Sequence, residues 1–318
     1  MMKFLPPSAN NGVGPVRIAH ISDPHLSDLS GVSWQQLLSK RILGYLSWRF
    51  SRRHIQRLDI LDKLLNDLSS NELGHLLISG DLTHIGTAAE CRQVRSWLSD
   101  LGTAENISLI PGNHDYYTKD DISRTFGLWS DYIASDSVNS DNHKPPLFPS
   151  FRQRGPLAII GLSTALPTSP FFATGELGQK QIQDLEQLLV KTKKMGLFRI
   201  VMLHHGPLQT SNKFRKRLRD AHEFRQSIVS HGAELIVHGH GHYPVWDFLQ
   251  SDKLKIPVIG AASASVLSTS TSKRSGYNLY EIERIPEGWS LRVQSRRLEI
   301  EAESYSVLKE FELNLPAA

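Results

Sequence analysis

The sequence predicts an α/β fold in which sheet strands are flanked by helices, and three patterns predict it. Short runs rich in Ile, Val and Leu recur along the chain, amphipathic helical rows fall between them, and after Ser275 the pattern changes to alternation. The apolar runs place strands at 16–21, 75–79, 107–110, 157–162, 199–203, 234–237 and 256–259. Helices are expected where apolar side chains recur every three or four residues: Leu58, Leu61, Leu65 and Leu68; Val94, Trp97, Leu98 and Leu101; Ile182, Leu185, Leu188 and Leu189. Residues 277–282 and 289–295 alternate about a turn at 286–288 and are expected to complete a second sheet. The stretch 135–156, rich in Ser, Asn, Asp and Pro, reads as a surface loop near the site.

A chain of 318 residues fits two domains or one large sheet domain, and its length suffices to bury a core without disulfides. Apolar residues at 40% and charged residues at 21% exclude disordered and collagen-like chains. Cys91 is the one cysteine, so no intramolecular disulfide forms. Pro6 and Pro7 interrupt any signal-peptide core, and no window approaches the ~20 apolar residues of a membrane span. A cytoplasmic protein is therefore expected.

The formal charge of +4 is too small to argue for a nucleic-acid partner, which is not expected. Its distribution is uneven. Lys40, Arg41, Arg49, Arg52, Arg53 and Arg57 fall in a stretch without an acidic residue, and residues 213–219 hold five more cations. The expected layout is a tail at 1–15, a domain at 16–300 with a basic amphipathic insertion at about 30–57, and an extension at 301–318.

Ligands of open α/β sheets gather at the carboxyl ends of the strands. Five predicted strands end in Asp23-Pro-His25, Gly80-Asp81, Gly112-Asn113-His114-Asp115, His204-His205 and Gly239-His240-Gly241-His242. These oxygen and nitrogen donors, without thiolate, suit Mn, Fe, Zn or Co. Each piece alone also fits an ordinary turn. Five together at one sheet edge point to a metal centre, with too many donors for one ion. His205 is an outer candidate; His20, His75 and His238 read as core or supporting residues; His54, His84, His143, His222 and His231 read as surface residues.

The set Asp23-x-His25, Gly80-Asp81, Gly112-Asn113-His114-Asp115, His204 and Gly239-His240-Gly241-His242 resembles the signature of the calcineurin-like metallophosphoesterases. The resemblance implies a four-layer α/β/β/α sandwich of two mixed β-sheets flanked by helices. It implies two divalent metal ions: Asp23, His25 and His242 on one, Asn113, His204 and His240 on the other, and Asp81 bridging. A hydroxide activated between the metals would attack phosphorus. His114 would face the phosphate as acid or charge stabiliser, with Asp115 orienting it.

Within that family the motifs resemble phosphodiesterases of small phosphodiesters such as cyclic nucleotides. The alternative is a UDP-2,3-diacylglucosamine pyrophosphatase of lipid A biosynthesis, although those usually carry Arg where this chain has His114. A binding scaffold without activity is the alternative from another class; it would have no chemical need of the full ligand set. Residues 34–57 bear on the choice of substrate. Trp34, Leu38, Ile42 and Leu46 recur every fourth residue beside cations up to Arg57, as in a helix lying on an anionic membrane or forming a lid. The opposing expectation is a helix packed on the domain with its arginines in water.

Overall fold

Among the residues described by the computed structural model, 14–136, 148–208, 214–251 and 255–316, twelve strands form two six-stranded mixed sheets. In chain order they are β1 Val16–Ile21, β2 His75–Ile78, β3 Ile107–Leu109, β4 Ser150–Arg154, β5 Leu157–Gly161 and β6 Phe198–Met202. The remainder are β7 Leu235–His238, β8 Val245–Gln250, β9 Lys255–Gly260, β10 Gly276–Ile285, β11 Gly288–Glu299 and β12 Ser304–Pro316. One sheet runs β12-β11-β10-β1-β2-β3 and the other β4-β5-β6-β7-β9-β8. The strands that carry the expected site, β1, β2 and β3 in one sheet and β6 and β7 in the other, pair in parallel within their sheets.

Side-chain alternation along each strand separates the layers. Ile18, Leu77, Ile159, Ile200 and Val237 point between the sheets and meet Tyr280, Trp289 and Val293 there. Their neighbours Ala19, Ile21, Leu76 and Ile78 point outward, onto Leu61, Leu65 and Leu68 of the helix Leu58–Ser69 and Val94 and Leu98 of the helix Ala88–Leu101. On the far side Ile160, Val201 and Ile236 meet Leu185 and Leu189 of the helix Gln179–Lys194 and Phe224 and Ile228 of the helix Ala221–His231. The order is helix, sheet, sheet, helix, the expected four-layer sandwich.

Three expectations change. The strands after Ser275 do not complete the second sheet; β10 pairs antiparallel with β1, Val16 opposite Ile282, and extends the first. The second sheet is built from the middle of the chain. Within the expected C-terminal extension, β12 pairs along β11 from Ser304 to Pro316. The expected irregular stretch contains β4; residues 137–147, with His143, lie outside the described residues, as do 1–13 and Lys213.

The basic insertion is not one helix. It breaks into Trp34–Leu37, Arg41–Ser47, a π-helical turn Trp48–Arg52, and Arg53–Ile55. Its inner side is held by Leu37, Trp48, Ile42 and Tyr45 against Leu29, Ile85 and Tyr117. Gly44 allows the close approach: a Cβ there would lie 2.5 Å from Ile85 Cγ2. Arg41 donates to the carbonyls of Ile85 (2.9 Å) and Gly86 (2.8 Å), and Lys40 to Thr168 Oγ1 (2.6 Å). The expected apolar row is therefore split: Ile42 packs inward, while Trp34, Leu38 and Leu46 face away from the domain. Trp34 is 78% exposed and Leu38 85%.

Candidate active site

Where the parallel strands end, the chain turns tightly. Asp23 N–H donates to Gly80 O (3.0 Å) and His25 N–H to Asp81 O (3.1 Å), which ties the turn after β1 to the turn after β2. Seven described non-glycine residues have positive φ, and five of them are expected ligands: Asp23, His25, Asp81, His240 and His242. That conformation is costly for L-residues and persists only where surroundings enforce it. Gly112 leaves room for the result, since a Cβ there would fall 2.2 Å from Asp81 Oδ1.

Backbone carbonyls then aim the imidazoles. His25 Nδ1 meets Thr83 O at 2.8 Å and His204 Nδ1 meets Ser79 O at 2.6 Å. A carbonyl only accepts, so Nδ1 carries the proton and Nε2 presents a lone pair. Asp23 Oδ1, His25 Nε2, Asn113 Oδ1, His204 Nε2 and His240 Nε2 are buried without a hydrogen-bond partner. Orphaned buried acceptors are rare and costly, and cations held among them would satisfy them. Ligand atoms of Asp23, His25, Asp81 and His242 lie within 4.8 Å of one another, as do those of Asp81, His204 and His240. Asp81 belongs to both groups.

The electrostatics match. Asp23 is held well below the carboxylate range despite its burial by His242, whose Nε2 lies 3.1 Å from Oδ1. Burial would depress His204, but the Asp81 carboxylate 3.3 Å away pushes it up to about 9, so a metal at Nε2 would take the place of a proton that Asp81 otherwise holds there. Burial and neighbouring imidazoles hold His25 and His240 well below the ordinary histidine range, neutral and able to donate to a metal.

The profile of the family described as calcineurin-like phosphoesterase matches residues 16–244, from β1 past the last candidate ligand. The chain belongs to the calcineurin-like phosphoesterase family. It is a phosphoester hydrolase that uses divalent metal. It is 24% identical over 225 residues, 70% of this chain and 83% of the relative, to a protein of Vesicomyosocius okutanii described as a probable cyclic nucleotide phosphodiesterase. Its fold is similar to that of a dimetal phosphatase from Danio rerio, at a TM-score of 0.51 and 11% identity, covering 95% of this chain and all of that one.

Two residues of this phosphoesterase stand differently from expectation. The Asp115 carboxylate does not touch the His114 ring. It accepts from the backbone N–H groups of Asp81 (2.8 Å), Leu82 (2.9 Å), Thr83 (3.0 Å) and Gly112 (2.8 Å), and from Thr83 Oγ1 (3.0 Å). Asp115 thus clamps the turns after β2 and β3 and positions Asp81. Burial, then the Asp81 charge, push Asp115 up to about 7 against the pull of the Gly112 and Thr83 N–H groups. The partner that orients His114 is instead the His84 carbonyl, which accepts from Nδ1. His84 itself is buried and stacks on His25 with ring centres 5.1 Å apart, so it is not the expected surface residue.

Sequence reasoning missed two side chains. Arg52 reaches back from the insertion, its NH1 3.0 Å from His114 Nε2. The π-helical turn that ends at Arg52 re-aims the chain there. Glu90 is buried and accepts from Ser27 Oγ (2.6 Å), His84 N–H (2.7 Å) and Thr87 N–H (2.8 Å), fixing the loop that carries His84. Its signal was legible: Thr87 and Glu90 form a capping box at the start of the helix Ala88–Leu101. His205 sits beside the candidate ligands, Nδ1 2.7 Å from Thr164 Oγ1 and its ring 4.3 Å from that of His240.

Proposed function

We propose that the protein is a phosphodiesterase with two divalent ions, one held by Asp23, His25 and His242 and one by Asn113, His204 and His240, with Asp81 shared. The observation that carries this reading is the membership of Asp81 in both donor groups, amid buried acceptors without a hydrogen-bond partner. Bound there, divalent ions would lower the pKa of a water and polarise the phosphoryl oxygens.

The chain's own groups do the rest. Arg52 offers N–H donors to the non-bridging oxygens of the phosphate, where charge grows in the transition state. His114, its Nδ1 proton fixed on the His84 carbonyl, presents Nε2 toward Arg52 and the leaving side. Asp115 holds the Asp81 backbone in place. A cavity of about 610 Å³ adjoins the site, with Asn113 and His114 on one wall and Lys40, Arg52, Phe171 and Phe214 among its other residues. It accommodates the organic part of a small phosphodiester. The likeness to the probable cyclic nucleotide phosphodiesterase supports a substrate of that kind.

A second reading, the diacylglucosamine pyrophosphatase, gains from Arg52. Those enzymes usually carry Arg at the position of His114, and here a guanidinium arrives at the same place from the insertion. Metal-stripped protein reloaded with Mn, Fe, Zn or Mg and offered bis(p-nitrophenyl) phosphate, cyclic nucleotides and the acylated pyrophosphate separates the two. Turnover of cyclic nucleotides supports the first reading, and turnover of the acylated pyrophosphate alone supports the second. Turnover of none with any metal contradicts both.

A further inference from the structure

The most exposed apolar side chains among the described residues share a location. Trp34, Leu38 and Phe50 are 76–85% exposed and lie on the insertion; Phe171 (74%) and Phe214 (67%) lie on two loops that line the cavity beside it. Lys40 ties the insertion to the first loop through Thr168 Oγ1 and the Phe172 carbonyl (3.2 Å). Leu46, Ile55 and Leu58 add exposed aliphatic surface on the insertion and just after it. Elsewhere only Val190, Met195 and Val307 are comparably placed, none above 45%. Singly exposed apolar residues need no explanation, but a concentration at the mouth of a site does.

The charge of this rim is equally one-sided. Arg49, Arg53, Arg215 and Arg217 are exposed within it, with Arg217 over the Phe214 ring (4.5 Å) and Arg215 over that of Phe172 (5.7 Å). No acidic residue occurs between Leu29 and Leu58 or between Phe214 and Arg219. We infer that this rim docks the enzyme on an anionic lipid surface, with Trp34, Leu38 and Phe50 entering the acyl boundary and the arginines meeting the headgroups. The combination favours lipid over the other occupants. Aliphatic Leu38, Leu46 and Ile55 gain nothing by stacking on bases, and a second copy would oppose cation to cation. The inner face, packed on Leu29 and Ile85, anchors the insertion so that the outer face stays presented.

The docking is independent of which phosphoester is cleaved. The test uses the full chain, metal-loaded, sedimented at low salt with vesicles of phosphatidylcholine with or without phosphatidylglycerol. Binding is expected only with phosphatidylglycerol. The triple variant Trp34→Ser, Leu38→Ser, Phe50→Ser should bind about tenfold or more weakly while cleaving bis(p-nitrophenyl) phosphate at the unchanged rate. Arg49→Glu with Arg53→Glu should abolish the salt-sensitive part of the binding. Wild-type protein that ignores anionic vesicles overturns the proposal. So does equal binding by the triple variant, or a wild type that instead binds single-stranded oligonucleotide or dimerises through these residues. Failure of all phosphodiester cleavage would count against the proposed function alone, because vesicle binding is read separately.

Discussion

Arg52 NH1 lies 3.0 Å from His114 Nε2, and the two side chains come from segments 62 residues apart. Neither can hold the other as a salt bridge, because neither is an anion. With its Nδ1 proton on the His84 carbonyl, His114 accepts an Arg52 N–H at Nε2, and in the proposed function both groups face the phosphate. Arg52→Ala is expected to lower kcat by about 10²- to 10³-fold, the loss typical of one transition-state donor, with metal content unchanged. Arg52→Lys keeps the charge without the fork and should recover only part of the rate. Metal loss in either variant would make Arg52 structural.

His114 should separate chemistry from metal binding. His114→Ala is expected to keep normal metal content and to lose about 10²- to 10⁴-fold in kcat. If Nε2 serves the leaving oxygen, the loss shrinks on nitrophenyl esters, which leave without a proton. An equal loss across leaving groups assigns His114 to stabilising the phosphate charge.

Asp115 acts through backbone groups. Asp115→Ala strands four N–H donors and the Thr83 hydroxyl in a buried place. Each buried donor left without a partner costs about 1–3 kcal/mol before relaxation. Urea unfolding should show a loss of several such increments, together with weaker metal uptake as the Asp81 turn loosens. Unchanged stability with lost activity would return Asp115 to the direct chemical role that its position beside His114 suggested.

The legible part of the fold is the part buried on both faces. β1, β2, β3, β5, β6, β7 and β9 run between a helix layer and the other sheet, so they read as runs rich in Ile, Val and Leu, with Arg17 in β1 and Arg199 in β6 among the few breaks. β4, β8 and β12 are edge strands that carry charge within the strand, unlike the fourth edge, β3, which is wholly buried; Arg152 of β4 donates into the domain to the carbonyls of Ala134 and Ile107. No apolar run announces such a strand. The site followed the same division. Asp23, His25, Asp81, Asn113, His204, His240 and His242 stand directly after predicted strands and were found there. Arg52 could not be found that way, because its aim depends on a π-helical turn with no sequence mark.

Buried neutral histidines set an acid limit on stability. His75, whose Nε2 meets Ser108 Oγ at 2.8 Å, is lowered to about 3, by burial first and then by the charges of Arg154 and Arg152. Its folded value lies below the ordinary value near 6.5, so its neutral form is fully favourable above that pH. As pH falls, the unfolded chain takes up a proton that the folded chain refuses. Between pH 7 and 5 this one residue should cost about 2 kcal/mol. Urea unfolding at both pH values should show a correspondingly smaller loss for His75→Asn. An unchanged slope would mean that His75 does not titrate in this way.

The shared position of Asp81 is tested most directly by counting metal. Elemental analysis of reloaded wild-type protein and of Asp81→Ala, beside phosphodiester turnover, should give two ions and activity for the first. The variant should hold at most one ion and no activity. Two ions retained by Asp81→Ala would contradict the account.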